Sequence, residues 1–386
     1  METIYLDNNA TTRIAPEVLD AMQPYLTELY GNPSSSHRFG GGLKKAIEEA
    51  REKVAALIGA GPDEIVFTSS GTESDNTSIM SACESHPEKK HAVTTVVEHP
   101  AVLKFVSSLE VKGHKATYLR VNAEGMLDTK GLLSSIREDT AIVSVMYANN
   151  ETGVLFPIAE IASALKGKTL FHTDAVQAAG KVRINVKDAL VDMLSISGHK
   201  LHAPKGIGAL YIRRGTPFHP YLIGGHQERG RRAGTEAVAS IVGLGRACEL
   251  GVERLDEDTA YIKKLRDRLE GELLRRCPDS RINGVGSPRL PNTLNMSFAH
   301  VEGEAISMRL DALGICVSTG SACASGSVEP SHVLRAMSVP QEFIGGSIRF
   351  SLSRYNTGAE IDKAIEALPG IIKELREISP FGRGVC

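Results

Sequence analysis

Lys200 stands in Ser197-Gly198-His199-Lys200, directly after the apolar run Val191–Ile196. A lysine placed where the chain leaves a buried strand for a glycine-bearing loop is a candidate for amine chemistry. Partial desolvation or a neighbouring cation lowers its pKa and frees the lone pair that condensation with a carbonyl requires. Most tetrapeptides of this kind are solvated loops, so its meaning depends on what else reaches the same place. Phe67-Thr-Ser-Ser-Gly71-Thr72-Glu73 reads as a strand entering a turn that opens a helix, which aims free N–H groups at one spot and suits a phosphate. His99 follows a strand-like run in Glu98-His99-Pro100, Asn150 follows another in Asn149-Asn150-Glu151, and Asp174 closes a third, with Gln177 one turn on. Each has an innocent reading as a loop residue or helix cap.

The elements that position them form an α/β pattern, with strand-like runs separated by amphipathic segments. Seven strands are expected at 64–69, 91–97, 115–121, 141–147, 169–174, 192–197 and 208–213, wound into a mostly parallel sheet. Helices are expected at 43–58 and 158–165. Five of the polar sets, those of Gly71, His99, Asn150, Asp174 and Lys200, then fall at or just after strand C-termini. In an open α/β sheet that edge is where ligands bind. From about Glu253 the texture changes to a charged helix, 255–276, and short strands near 292–298, 315–318 and 347–352. We therefore expect a large domain over 13–252 and a smaller one over 253–386, with residues 1–12 packing on the latter.

The whole-chain numbers narrow the class. At 386 residues, 42% hydrophobic and a formal charge of −2, the chain has material for such a pair of domains. The near-neutral balance and absence of a basic tract argue against nucleic acid as a partner, and no apolar run is long enough to span a membrane. The N-terminus carries no signal-peptide pattern, so the cytoplasm is expected. Six dispersed cysteines without a Cys-x-x-Cys suit free thiols in a reducing compartment. Neither Cys316 with Cys323 nor His199 with His202 has a second ligand pair at a recognised spacing, so no intrinsic metal is expected.

Read together, the motifs resemble the fold-type I pyridoxal-phosphate (PLP) enzymes, and within them the class I NifS/IscS-type cysteine desulfurases. The likeness rests on Tyr5-Leu-Asp-Asn-Asn-Ala-Thr-Thr12, Gly31-Asn-Pro-Ser-Ser, Gly71-Thr72-Glu73-Ser-Asp-Asn76, Glu98-His99-Pro100, Asn149-Asn150-Glu151, Thr173-Asp174-Ala-Val-Gln177, Ser197-Gly198-His199-Lys200, Glu228-Arg229-Gly230-Arg-Arg-Ala-Gly234-Thr235 and Ser318-Thr-Gly-Ser-Ala-Cys323, which span nearly the whole chain. The resemblance implies that Lys200 binds PLP covalently and later moves the substrate's α-proton. It implies that Asp174 bonds the pyridine nitrogen and keeps it protonated, making the ring an electron sink. Gln177 and Asn150 would meet the ring's phenolic oxygen, and His99 would lie over the ring for stacking and proton transfer. Gly71, Thr72, Ser197 and His199 would hold the phosphate, joined by Thr235 from a second subunit, which implies a homodimer. Arg349, with Asn150, would bind the substrate carboxylate.

Within this resemblance Cys323 is the distinguishing residue. Gly320-Ser-Ala-Cys323-Ala-Ser-Gly326 surrounds it with small residues, which gives a loop and an accessible thiol, whereas Cys316 on an apolar strand reads as core. The implied reaction converts L-cysteine to alanine and a persulfide on Cys323, for delivery to an iron–sulfur scaffold or another sulfur acceptor. Contact with a cluster held on such a scaffold would be transient. A selenocysteine lyase or an aminotransferase would use the same lysine and aspartate, and a non-catalytic sulfur-relay partner is a third reading. Neither of the first two accounts as well for the loop cysteine, and the intact Lys200, Asp174 and His99 speak against the third.

Overall fold

In the computed structural model, which describes residues 3–319 and 330–379, the apolar runs of the first part become one sheet. The chain begins with a short strand β1 (Ile4–Tyr5), followed by β2 (Ile65–Thr68), β3 (His91–Thr95), β4 (Lys115–Leu119), β5 (Thr140–Ser144), β6 (Leu170–Asp174), β7 (Met193–Ser197) and β8 (Gly208–Ile212). Strands β2 to β8 form a seven-stranded sheet in the order β2-β8-β7-β6-β5-β3-β4. Pairs β3–β4, β3–β5, β5–β6 and β6–β7 are parallel, while β8 pairs antiparallel with both β2 and β7. The side chains of β2, β3, β5, β7 and β8 are buried throughout, as expected of strands in a sheet covered on both faces. All seven expected strands are present, each ending within three residues of its expected bounds. Past β5 the chain stays extended, with Val145 N–H donating to His172 O and Tyr147 N–H to Asp174 O, which is why an apolar run to 147 reads as strand.

Helix Leu43–Ile58 buries Leu43, Ile47, Ala50, Val54 and Ile58, one stripe at a helical period, against the helix Val238–Glu253. Gly245 makes that approach possible. A Cβ there would lie 2.7 Å from both Cα and Cβ of Ala50, so the two backbones meet where any side chain would separate them.

Later strands build a separate sheet, β12-β13-β10-β9, from β9 (Ser280–Ile282), β10 (Thr293–Phe298), β12 (Ser318–Thr319) and β13 (Ser347–Ser351). The remaining strand, β11 (Ile315–Cys316), pairs in parallel with β1. Helices Leu255–Arg276 and Gly358–Ile378 cover this part, and their Leu269, Leu273, Ile361, Ile365 and Leu368 share a core with Phe298, Ile348, Phe350 and the N-terminal Ile4 and Leu6. Cys316 departs from the sequence reading. On a two-residue strand the faces alternate, so Ile315 enters the core and Cys316 is left half-buried. Cys83, Cys248 and Cys277 are buried free thiols. Among the described residues no helix is long and apolar enough to cross a membrane.

A buried ion pair ties the first part together. Arg51, on the helix Leu43–Ile58, donates from Nη1 and Nη2 to the two carboxylate oxygens of Glu228 at 2.7 and 2.9 Å, and Glu228 Oε2 also accepts from Phe67 N–H on β2. Both side chains are 4% exposed. Glu228 and Arg229 hold left-handed φ of 48° and 60°, a conformation costly for non-glycine residues that the bidentate pair helps to fix. Glu228→Gln should therefore destabilise the chain by on the order of 3 kcal/mol, because it leaves the Arg51 charge buried without its counter-charge. Equilibrium urea unfolding checks this, and a change under about 1 kcal/mol would show that the pair is not holding the loop.

Candidate active site

The C-terminal ends of β2, β3, β5, β6 and β7 converge on a cavity of about 290 Å3 lined by Ser70, Gly71, Thr72, Asp75, His99, Asn150, Asp174, Gln177, Ser197, His199, Lys200, Ser318 and Arg349. Eleven residues were singled out from the sequence among the described part of the chain, namely Gly71, Thr72, His99, Asn150, Asp174, Gln177, Ser197, His199, Lys200, Thr235 and Arg349. All but Thr235 border this space. Thr235 is exposed and stands apart from it. Cys323 lies outside the described residues.

Local sequence explains each placement. After β7 the chain makes a tight turn over Gly198–Lys200, closed by Leu201 N–H to Gly198 O and by Gly198 N–H to Ile207 O. That turn brings Lys200 back over the sheet edge, where Nζ donates to the carbonyls of Asn9 at 2.5 Å and Ala10 at 2.7 Å. On the other side, Ser70 caps the helix Gly71–Ser85 by accepting from Glu73 N–H, which leaves the start of the helix facing the cavity. Gly71 is required there, since a Cβ would meet Val176 Cγ2 at 2.6 Å.

Asp174 ends β6, with Oδ1 accepting from Val176 N–H at 2.9 Å. Burial pushes its carboxyl up, while His99 and Lys200 pull it back towards the ionised form. His99 caps the helix Pro100–Val111 by accepting Ala101 N–H at Nδ1, so any proton it carries in the neutral state is on Nε2. Burial, the first cause, lowers its pKa. His199 Nδ1 lies 3.2 Å from Thr11 Oγ1, and burial together with Lys200 brings its pKa down to about 4. Gln177 donates from Nε2 to Asn9 O at 3.0 Å. Arg349, on β13 and 5% exposed, donates to Asn150 O at 3.0 Å and to Asp7 Oδ1 at 2.7 Å.

The donor set fits the PLP that the resemblance implies. A helix start with Gly71, Thr72, Ser197 and His199 suits a phosphate, a buried carboxylate suits a pyridinium nitrogen, and an amine and two amides flank the same space. Among the described residues no group of three or more metal-binding side chains gathers at one place.

Sequence reasoning missed several groups around this cavity. Asp75 is 1% exposed and lines it, and Oδ1 lies 3.6 Å from His172 Nε2 with no hydrogen-bond partner. Burial, then the charge of Asp174, holds the Asp75 carboxyl well above the usual range. Glu98, fully buried, accepts from Thr95 Oγ1 at 2.7 Å and from Met146 N–H at 3.1 Å, and burial pushes its pKa up to about 8. Both residues sit inside motifs picked out for their neighbours, Gly71-Thr72 and His99, and an acid in an otherwise small or apolar run was the available signal. Asn9, Asp7 and Lys181 were also passed over.

Comparison with known proteins places this geometry. Residues 4–364 match the aminotransferase class-V family. The chain is 58% identical over 382 residues to a cysteine desulfurase of Trichormus azollae, covering 99% of this chain and 96% of that one. It is 52% identical over 386 residues to the cysteine desulfurase NifS of Azotobacter vinelandii, covering 100% and 96%. A solved NifS-like protein superposes with a TM-score of 0.91 at 40% identity, over 97% of this chain and 100% of that one.

Glu98 yields a prediction independent of catalysis. It keeps its proton in the folded chain up to about pH 8 but loses it near 4.5 when unfolded. The unfolded state thus binds fewer protons across that window, and stability falls as pH rises through it. Glu98→Gln removes this slope while keeping an oxygen for Thr95 and Met146. Its unfolding free energy from urea titration, relative to the parent, should rise steadily between pH 5 and 8, by on the order of a kcal/mol per pH unit; a constant difference would mean that Glu98 is ionised in the fold.

Proposed function

The chain belongs to the cysteine desulfurases of the class-V aminotransferase family, and from that premise we propose that its residues work on L-cysteine as follows. The observation that carries the reading is the convergence of Lys200, Asp174, His99 and the Gly71 helix start on one cavity, with Arg349 at its border. PLP, the cofactor of the family, supplies an electron sink for the pair of electrons released at the substrate's α-carbon.

Lys200 Nζ binds the cofactor and takes the α-proton, and its contacts with two carbonyls hold it at the cavity wall. Asp174 holds the ring nitrogen's proton. His99, with Nδ1 committed to the backbone, presents Nε2 for proton exchange. Gly71, Thr72, Ser197 and His199 hold the phosphate. Arg349, fixed by Asp7 and the Asn150 carbonyl, presents its planar fork to the substrate carboxylate, with the Asn150 amide beside it. The Cys323 thiolate attacks the substrate sulfur, so that an S–S bond forms as the C–S bond breaks, and the products are alanine and a Cys323 persulfide. An iron–sulfur scaffold or another sulfur-acceptor protein then takes the sulfur.

Thr235, exposed and away from its own chain's cavity, completes the phosphate site of a second copy, which makes the working unit a homodimer. The division into units of residues 13–252 and 253–386 draws on the separate core in which Ile4 and Leu6 join Leu269, Phe298, Phe350 and Leu368, although Leu290, Val333, Leu334 and Met337 pack into the core of the first unit. A free-thiol chemistry of this kind suits the cytoplasm.

Binding substrate and removing its α-proton need no protein thiol, whereas breaking the C–S bond does. Cys323→Ala should keep its cofactor and still change spectrum with L-cysteine, while alanine production falls by at least about a hundredfold. Lys200→Ala should lose both the spectral response and the product. If Cys323→Ala forms alanine at the parent rate, the thiol assignment is wrong and a selenocysteine lyase becomes the better reading.

A further inference from the structure

Behind the cavity lies a lysine that the reaction above does not use. Lys181 follows Gly180 one turn beyond Gln177, and its Nζ donates to Gln177 Oε1 at 3.0 Å. As an ammonium, below its pKa, the side chain has donors only, so the amide end that faces it is the oxygen. At the other end of the same amide, Gln177 Nε2 donates to Asn9 O, a carbonyl that can only accept. Two one-way contacts thus fix which end of the amide points where. Nε2 has two hydrogens, and with one spent on Asn9 the second is left for the cavity that Gln177 lines. A reversed amide would aim an oxygen at Lys181's opposite side and repel an electron-rich ligand atom.

When protonated, Lys181 is also a second positive charge close to Lys200. Burial, then Lys200 and Arg349, brings its pKa down to about 7. Its side chain borders a small cavity of about 50 Å3 shared with Lys200, His202, Asp258, Thr259 and Arg354. Asp258 is bridged to Arg354 at 2.8 Å, and Thr259 Oγ1 donates to the Lys181 carbonyl. Gln177 Oε1 is therefore the acceptor through which Lys181 touches the site.

We propose that Lys181 is a positioning residue that locks the Gln177 amide with its NH2 group towards the cofactor's phenolic oxygen, and so sets the ionisation of the Lys200–cofactor linkage. This rests on the reading of Gln177 as the phenolic-oxygen donor. A donor at that oxygen withdraws electron density and favours the unprotonated linkage, so losing it moves the linkage pKa upward. Removing a nearby cation moves it the same way, and the two routes are separable by a double-mutant cycle.

The experiment is a pH titration of the absorption spectrum of the holoenzyme, with no substrate, for the parent, Lys181→Met, Gln177→Ala and the double variant. Both single variants should displace the midpoint to higher pH by about one unit, and the double variant should go no further than the larger single. Lys181→Arg keeps a charged donor, has the small cavity to grow into, and should restore the parent midpoint. Should Lys181→Met fail to fold, Lys181→Gln, a neutral donor, should give a smaller displacement of the same sign. A parent-like midpoint in both Lys181→Met and Lys181→Gln, or additive shifts in the double variant, overturns the proposal while leaving Gln177 in place. An unmoved midpoint in Gln177→Ala overturns it together with the Gln177 reading.

Discussion

The backbone carbonyl of Asn9 accepts from Lys200 Nζ and from Gln177 Nε2, and the site is arranged around that shared point. Asn9 itself has little freedom. Its N–H donates to Ser351 Oγ, its Nδ2 to Thr293 Oγ1 and Asn150 O, and its Oδ1 accepts from Asn292 Nδ2. A few residues either side, Asp7 binds Arg349, and Thr12 N–H meets the carbonyl of His199 at 2.9 Å. A single short segment, turned at Asn8–Ala10 where Ala10 N–H donates to Asp7 O, thus joins the lysine turn after β7 to the strand that carries Arg349. Because each contact uses a backbone group or a short polar side chain, the spacing between amine and guanidinium follows from the covalent geometry of the chain.

The interior behind this segment holds more carboxyl groups than it can afford to ionise. Asp75, Glu98 and Asp174 are buried in one region, and every one of them has burial as the first cause of an upward shift. Asp174 is the member of the three with both His99 and Lys200 pulling it towards the anion. Nearby, His172 is driven down to about 3 by burial and stays neutral between Ser144 Oγ and Ser195 Oγ, each at 2.9 Å. A neutral, hydrogen-bonded surround lets one negative charge persist at a chosen atom, which charged neighbours of the same sign would prevent.

How far the sequence foretold this depends on the type of signal. Strands β2, β3 and β5 to β8 were legible because a sheet covered on both faces demands apolar runs of strand length, and glycine or polar turns end them, whereas the edge strand β4 is only half-buried. Lys200, His99, Asp174 and Gly71 were legible because they sit just past such runs, where topology gathers them. Arg349 came from the resemblance alone. Lys181 gave no sign, since a lysine between Gly180 and Val182 reads as an exposed turn, and only tertiary packing encloses its amine beside Gln177. Asp75 was hidden in the middle of a helix, where an acid ordinarily faces water. The Cys316 error had a different origin, because two residues are too few for alternation to reveal which faces the core.

The two sheets contribute unequally to the chemistry, and the reason is geometric. The seven-stranded sheet supplies the amine, the acid, the amides and the helix start from one edge, so their mutual distances are set by strand spacing and short turns. Arg349 arrives from β13, whose own neighbours β10 and β12 form part of a different sheet over a different core. Registry between the two could drift if only side chains met across them. Asn292 and Thr293, at the start of β10, close that gap by holding Asn9 from the second sheet while Asn9 holds Lys200 and Gln177 of the first. The Arg349 guanidinium and the Lys200 amine are thereby referred to one backbone residue, which is the arrangement that the proposed recognition of a small amino acid from its two ends requires.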